Sequence, residues 1–197
     1  FNDFNEPGAI GGVWTITIDK KPPNIPTIET IVSGGKYSSN QKFTLISSDA
    51  DKIYYTISSQ IGNAPLDPID PTSGVGILYE GTPVDLTADL GEIKYYKIKA
   101  IAYDSVNNAS DVGGVWTVII DKQPPAVISY SPALNASGVS PTANLVLTFD
   151  ETVDIGTGKI YIKTYLTDAT YDTINVTSVV VSGKQVKIGR ASCRERV

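Results

Sequence analysis

Gly11-Gly12-Val13-Trp14-Thr15-Ile16-Thr17-Ile18-Asp19-Lys20-Lys21-Pro22-Pro23 returns later in the chain as Gly113-Gly114-Val115-Trp116-Thr117-Val118-Ile119-Ile120-Asp121-Lys122-Gln123-Pro124-Pro125. The two tryptophans are 116 − 14 = 102 residues apart. A period near one hundred is too long for a solenoid repeat and suits a tandem array of whole β-sandwich domains. Within the repeat, Trp14, Ile16 and Ile18 share one face, and Thr15, Thr17 and Asp19 the other. That alternation predicts a half-buried strand.

The same period of two recurs outward from this stretch. Ile53, Tyr55 and Ile57 alternate with Tyr54, Thr56 and Ser58, and Tyr96, Ile98, Ala100 and Ala102 with Lys97, Lys99, Ile101 and Tyr103. Leu145, Leu147 and Phe149 repeat it further on. Clusters such as Ser33-Gly34-Gly35 and Asp67-Pro68-Ile69-Asp70-Pro71 supply turn chemistry between the runs. No stretch keeps an apolar period of 3.6, so no long helix is expected. Pro fixes φ, lacks an N–H donor and pushes its predecessor into extended backbone, so each Pro-Pro pair reads as a short semi-rigid linker in a stiff rod. Residues 1–23 then read as the end of one module, 24–125 as a complete module and 126–187 as the opening of a third, truncated one.

Residues 188–197, Ile-Gly-Arg-Ala-Ser-Cys-Arg-Glu-Arg-Val, read as a translated sequencing adapter and are set aside from fold reasoning. They hold every Arg and the only Cys of the chain. Without them the charge changes from 16 basic and 21 acidic residues to 13 and 20, a net of 13 − 20 = −7. Such a surface repels phosphate backbones and anionic lipid, so nucleic acid is not an expected partner. No apolar run is long enough to cross a bilayer, and no membrane insertion is expected. A chain that otherwise avoids Cys suits export without disulfide machinery.

Two family resemblances enter at particular residues. Gly35-Lys36-Tyr37, Ile53-Tyr54-Tyr55-Thr56-Ile57, Tyr79-Glu80-Gly81 and the run Tyr96 to Asp104 resemble the Ig-like domain at the C-terminus of chitobiase and β-hexosaminidase, over about residues 26–112. Where that family continues its tyrosine strand with an Asp-Gly turn and a short loop, this chain has Ser58-Ser59 and a long stretch to Gly76. Pro124-Pro125-Ala126-Val127, Ser131-Pro132, Gly138-Val139-Ser140-Pro141, Leu147 to Val153 and Gly156 to Ile160 resemble the bacterial Ig-like domain named for S-layer proteins, over about 124–187. Both resemblances imply an all-β chain of tandem Ig-like β-sandwich modules joined by Pro-Pro linkers, with the first and last modules truncated. They also imply an extracellular or bacterial cell-surface location, with neighbouring Ig-like modules as partners.

The residue types narrow the chemistry. With no His and one Cys, in the tail, a Ser-His-Asp triad, a Cys-His pair and ordinary zinc sites are excluded within the chain, and no enzyme is expected. Asp150, Glu151 and Asp154 lie close enough in sequence for a glycosidase-type carboxylate pair, but they also fall on the structural motif of the S-layer-type family. Calcium is the one candidate cofactor: Asp104, Asn107 and Asp111 put hard oxygen ligands in one loop, and Asp121 stands at the next module boundary. The plainer reading of that loop is a turn in which Asn107 or Asn108 takes a left-handed position. Tyr54, Tyr79, Tyr95 and Tyr103 offer an aromatic platform for polysaccharide, with Tyr54 and Tyr95 the leading candidates, although tyrosine also serves outer sheet faces through cross-strand pairs. Trp14 and Trp116 read as core residues, and Trp116, which has its module, should be buried, while Trp14 should be substantially exposed or covered only by an opportunistic contact with the next module.

The function expected from this reading is a structural spacer or adhesion stalk module of a bacterial cell-surface or secreted multidomain protein. The alternative is an accessory carbohydrate-binding module of a secreted glycoside hydrolase, with cell-wall or extracellular polysaccharide as partner.

Overall fold

A computed structural model describes residues 11–140, 142–164 and 166–189. The chain divides into two compact units between Gln123 and Pro124. Both are built from β-strands, and no α-helix occurs among the described residues.

The first unit is a sandwich of two sheets. One contains β1 (Thr27–Glu29), β3 (Gln41–Ile46) and β6 (Val84–Leu86), in the order β1-β3-β6. The other adds β2 (Gly35–Tyr37), β4 (Lys52–Ile61), β5 (Ile77–Leu78), β7 (Ile93–Tyr103) and β8 (Gly113–Asp121), in the order β2-β8-β7-β4-β5. The long strands pair antiparallel, Ile98 opposite Ile57 on one side and Trp116 on the other. The short β2 pairs parallel to β8, Gly35 to Tyr37 against Val118 to Ile120.

The alternation of the sequence decides what fills the space between the sheets. Tyr55, Tyr96, Ile98, Ala100, Val118 and Ile120 come from one sheet, and Phe43, Leu45 and Leu86 from the other. Phe43 meets Tyr55 edge to face at 5.8 Å between ring centroids. The Tyr96 hydroxyl donates to the Thr87 carbonyl at 2.5 Å and accepts from the Thr87 N–H at 3.0 Å, so its one polar atom is satisfied inside.

Gly113 and Gly114 open β8 where its register against β7 slips by one residue between Ile98 and Lys99. A Cβ on Gly113 would stand 2.6 Å from the Pro26 carbonyl oxygen, and one on Gly114, at φ +98°, 2.7 Å from that of Ile98. Only glycine fits this bulge. Trp116 follows it, half-buried and packed against the core, less enclosed than the strand pattern predicts.

The long stretch after β4 is not a free loop. It folds back over the outer face of β4 and β7, where the hydroxyls of Thr56 and Ser58 donate to the carbonyls of Ile69 and Leu66 at 2.6 and 2.7 Å. Lys97 and Lys99 each hold an aspartate of that stretch, Asp67 and Asp70, at 2.7 Å. Pro71, within that stretch, is fully buried.

Residues 11–23 carry the first copy of the repeat but form no strand. Val13, Trp14, Ile16 and Ile18 are 100%, 89%, 83% and 76% exposed. Around Gly11 and Gly12 an added Cβ would meet nothing within 4 Å.

In the second unit, β9 (Val127–Ser131), β10 (Leu145–Phe149), β13 (Val180–Ser182) and β14 (Gln185–Ile188) form a sheet in the order β13-β14-β10-β9. β11 (Lys159–Lys163) and β12 (Thr170–Asn175) form a separate two-stranded ribbon. Leu145, Leu147 and Phe149 are half-buried, and so are the residues between them. Ile188, read from sequence as the first residue of the adapter tail, is the last residue of β14; it pairs with Leu145 and is buried. Cys193 and the rest of that tail from Arg190 lie outside the described residues.

Candidate functional site

The loop from Asp104 to Asp111 lies where β7 ends, and a single carboxylate organises it. Asp104 Oδ1 accepts the main-chain N–H of Val106 at 3.0 Å and of Asn108 at 2.8 Å, and Oδ2 accepts the Asn108 side-chain amide at 2.8 Å. Asn107 takes the left-handed position, φ +67°, that this tight turn requires. Desolvation would raise the carboxyl pKa of Asp104. Hydrogen bonds from the Asn108 side chain, then from the main chain of Asn108, Val106 and Asn107, outweigh it and hold the group below its ordinary value.

Asp121 stands apart from the other three calcium candidates, Asp104, Asn107 and Asp111. Asp121 pairs with Ile93 at the start of β7, whereas Asp104 follows Tyr103 at its end, 103 − 93 = 10 residues away. At about 3.3 Å per residue that is roughly 33 Å. Asp121 is buried, with its carboxylate 2.6 Å from the Lys36 ammonium and accepting the Gln123 N–H at 3.0 Å. Asp111 is exposed. Among the described residues, no three acidic side chains stand close enough to hold a metal ion.

What does meet the Asp104 loop is the end of the first repeat copy. The Asn108 amide donates to the carbonyls of Asp19 and Lys21 at 3.2 and 3.4 Å. Asp19, Lys21, Pro22, Pro23, Asp49 and Asp104 line a cleft of about 200 Å³. Asn24 is anchored beside it: its amide donates to the Ser48 hydroxyl at 2.6 Å, and its carbonyl accepts from the Ser47 hydroxyl at 2.5 Å. The sequence places Asp121 at a boundary and marks Asn108 as a turn residue, but it assigns neither Asn108, Asp19 nor Asp49 to this cleft. The signal was available in the repeat, because the offset of 102 carries Asp121 back to Asp19.

The tyrosines do not form one platform. Tyr54 lies opposite Ile101 and Tyr95 opposite Gln60, 101 − 95 = 6 residues apart along β7 and so roughly 20 Å. Lys97 and Lys99, tied to Asp67 and Asp70, occupy the strip between them. Tyr54 instead packs edge to face on Tyr103, and Tyr79 packs against the core.

Of the clustered acidic residues Asp150, Glu151 and Asp154, Asp150 holds two strands together. Its carboxylate accepts the Ala126 N–H at 2.9 Å, its own N–H donates to the Ala126 carbonyl at 3.0 Å, and its carbonyl accepts from the Lys184 ammonium at 2.6 Å. This is the bonding of a strand-end clamp.

The geometry therefore defines an all-β chain of sandwich type, with its polar side chains engaged in holding loops and junctions. Residues 121–192 match the family model of a bacterial Ig-like domain. No curated protein and no solved structure matches the chain. Among the described residues no helix is long and apolar enough to cross a membrane.

Proposed function

We propose that this chain is a run of Ig-like modules serving as a spacer or adhesion stalk in a bacterial cell-surface or secreted multidomain protein, without catalysis of its own. One observation carries the reading: nearly the same strand sequence is present twice, closing a sandwich at Gly113–Asp121 and standing bare at residues 11–19. An exposed run of Val, Trp, Ile and Ile is costly to leave in water, at about 25 cal/mol per Å² of apolar surface. The glycine pair needed for a bulge in the second copy serves no such purpose in the first. Both features make sense if residues 11–19 are the closing strand of a module of the 24–112 kind. The resemblances of residues 26–112 and 124–187 to chitobiase-type and S-layer-type Ig-like domains support the same reading, as does the bacterial Ig-like match at 121–192.

The test gives the bare strand a sandwich to close. In a chain of residues 24–112 followed directly by 11–189, Trp14 should become as protected as Trp116, with emission shifted to the blue and reduced iodide quenching. Trp14 emission that stays red and fully quenchable would overturn the modular reading. Saturable binding to a polysaccharide panel, lost in Tyr54→Ala and Tyr95→Ala, would favour a carbohydrate-binding module instead.

A further inference from the structure

We infer that the loop Asp104–Asn108, with Ser47 and Ser48 beside it, is a seat for the Asp-Lys-Xaa-Pro-Pro junction by which a preceding module joins this one, so that the junction is a fixed joint and not a swivel. The inference rests on the modular reading above and adds what that reading leaves open: how one module is oriented on the next.

The segment arrives already shaped. Asp19 Oδ1 accepts the Lys21 N–H at 2.9 Å, as Asp121 Oδ1 accepts the Gln123 N–H at 3.0 Å. The turn thus forms in both copies, whether or not the strand before it is paired. It is a local property of Asp-Lys-Xaa, because an aspartate readily bonds the backbone two residues on. The prolines that follow fix φ and donate nothing, which leaves carbonyls as the groups that need partners.

The seat supplies those partners. One Asn108 amide hydrogen is engaged by Asp104 Oδ2, which fixes the plane of the amide, and the other is shared between the Asp19 and Lys21 carbonyls. An aspartate at 108 has no hydrogen to give, and a rotating hydroxyl lacks a fixed plane. Pro23 and Pro26 are buried against the module, and Asn24 is bonded from both sides by Ser47 and Ser48. The partner is therefore an extended proline-bearing segment that offers main-chain carbonyls two residues apart.

Nitroxide labels on the full chain test this, in a Cys193→Ser background so that each label reacts at one position. A label at Lys20→Cys should give a broad, immobilised spectrum, and one at Thr15→Cys, outside the seat, a narrow one. Asn108→Ala should raise mobility at position 20 several-fold, to that at position 15. Asp19→Ala lies on the arriving segment and cannot unfold the module, and it should do the same. A narrow spectrum at position 20 in the parent chain, or a broad one that neither substitution loosens, would overturn the seat. Trp14 in the extended chain reads the module and the nitroxide reads the seat, so each can fail alone.

Discussion

Asp121 is buried with its carboxylate 2.6 Å from the ammonium of Lys36, which remains half in solvent. The pair ties the end of β8 to β2, its parallel neighbour, and the same carboxylate turns the chain at Gln123. The asymmetry in burial sets an order of mutational cost. Lys36→Met leaves a buried carboxylate without its cation and should cost about 2–3 kcal/mol. Asp121→Asn retains an acceptor for Gln123, and Lys36 is already half in solvent, so about 1–2 kcal/mol is expected. Urea denaturation of the two variants checks the order, and an equal or inverted ranking would mean that burial of Asp121 is not what matters.

The repeat provides its own control for glycine. Gly114→Ala should destabilise the first unit by about 2 kcal/mol or more, since φ +98° is unfavourable for alanine and the Cβ would strike the Ile98 carbonyl. Gly12→Ala, two positions before Trp14 as Gly114 is before Trp116, should be within about 0.5 kcal/mol of neutral. Thermal denaturation of both variants decides this. A comparable loss from Gly12→Ala would mean that residues 11–19 are packed in solution.

Tryptophan gives the complementary pair. Trp116→Ala removes a ring packed on Ile98 and its neighbours, and a loss of about 2–3 kcal/mol is expected, below the full-burial range because the ring is only half enclosed. Trp14→Ala should change stability by less than about 0.5 kcal/mol, and the same melts read it. Emission of the two single-tryptophan chains should differ, Trp14 being the redder.

Much of the fold was legible because β-sandwich strands alternate with a strict period of two. The inward set Tyr96, Ile98, Ala100 and Ala102 is buried throughout. Three things were not legible. The parallel seat of β2 depends on a pairing with β8 that lies 118 − 35 = 83 residues away, for which three residues carry no pattern. The return of residues 62–76 over the outer sheet face is held by side chains meeting carbonyls and by Lys–Asp pairs, and such contacts leave no periodicity. Asn108 reads as an ordinary turn residue, and only its distance to the Asp19 carbonyl shows what it holds.

Acid should loosen the first unit at two named places. Lys97, through its hydrogen bond to Asp67 and then its charge, holds that carboxyl below its ordinary value, with a smaller contribution from Lys99. A carboxyl depressed in the folded state binds its proton more weakly there than in the unfolded chain. Its stabilisation is therefore complete above the unfolded value, about 3.9, and is lost as pH falls through the lower folded one. Asp104 follows the same sign, since its folded-state pKa is also lowered. Between neutral pH and about pH 4.5, amide exchange at Val106 and Asn108 should stay slow once corrected for the intrinsic pH dependence. Below the ordinary carboxylate range it should accelerate as Oδ1 and Oδ2 lose the charge that holds those N–H groups. Asp104→Asn, which keeps the shape but not the charge, should show the faster exchange already at neutral pH, with no further step on acidification. Exchange in the parent chain that is flat down to pH 2 would mean that the carboxylate is not what orders the loop.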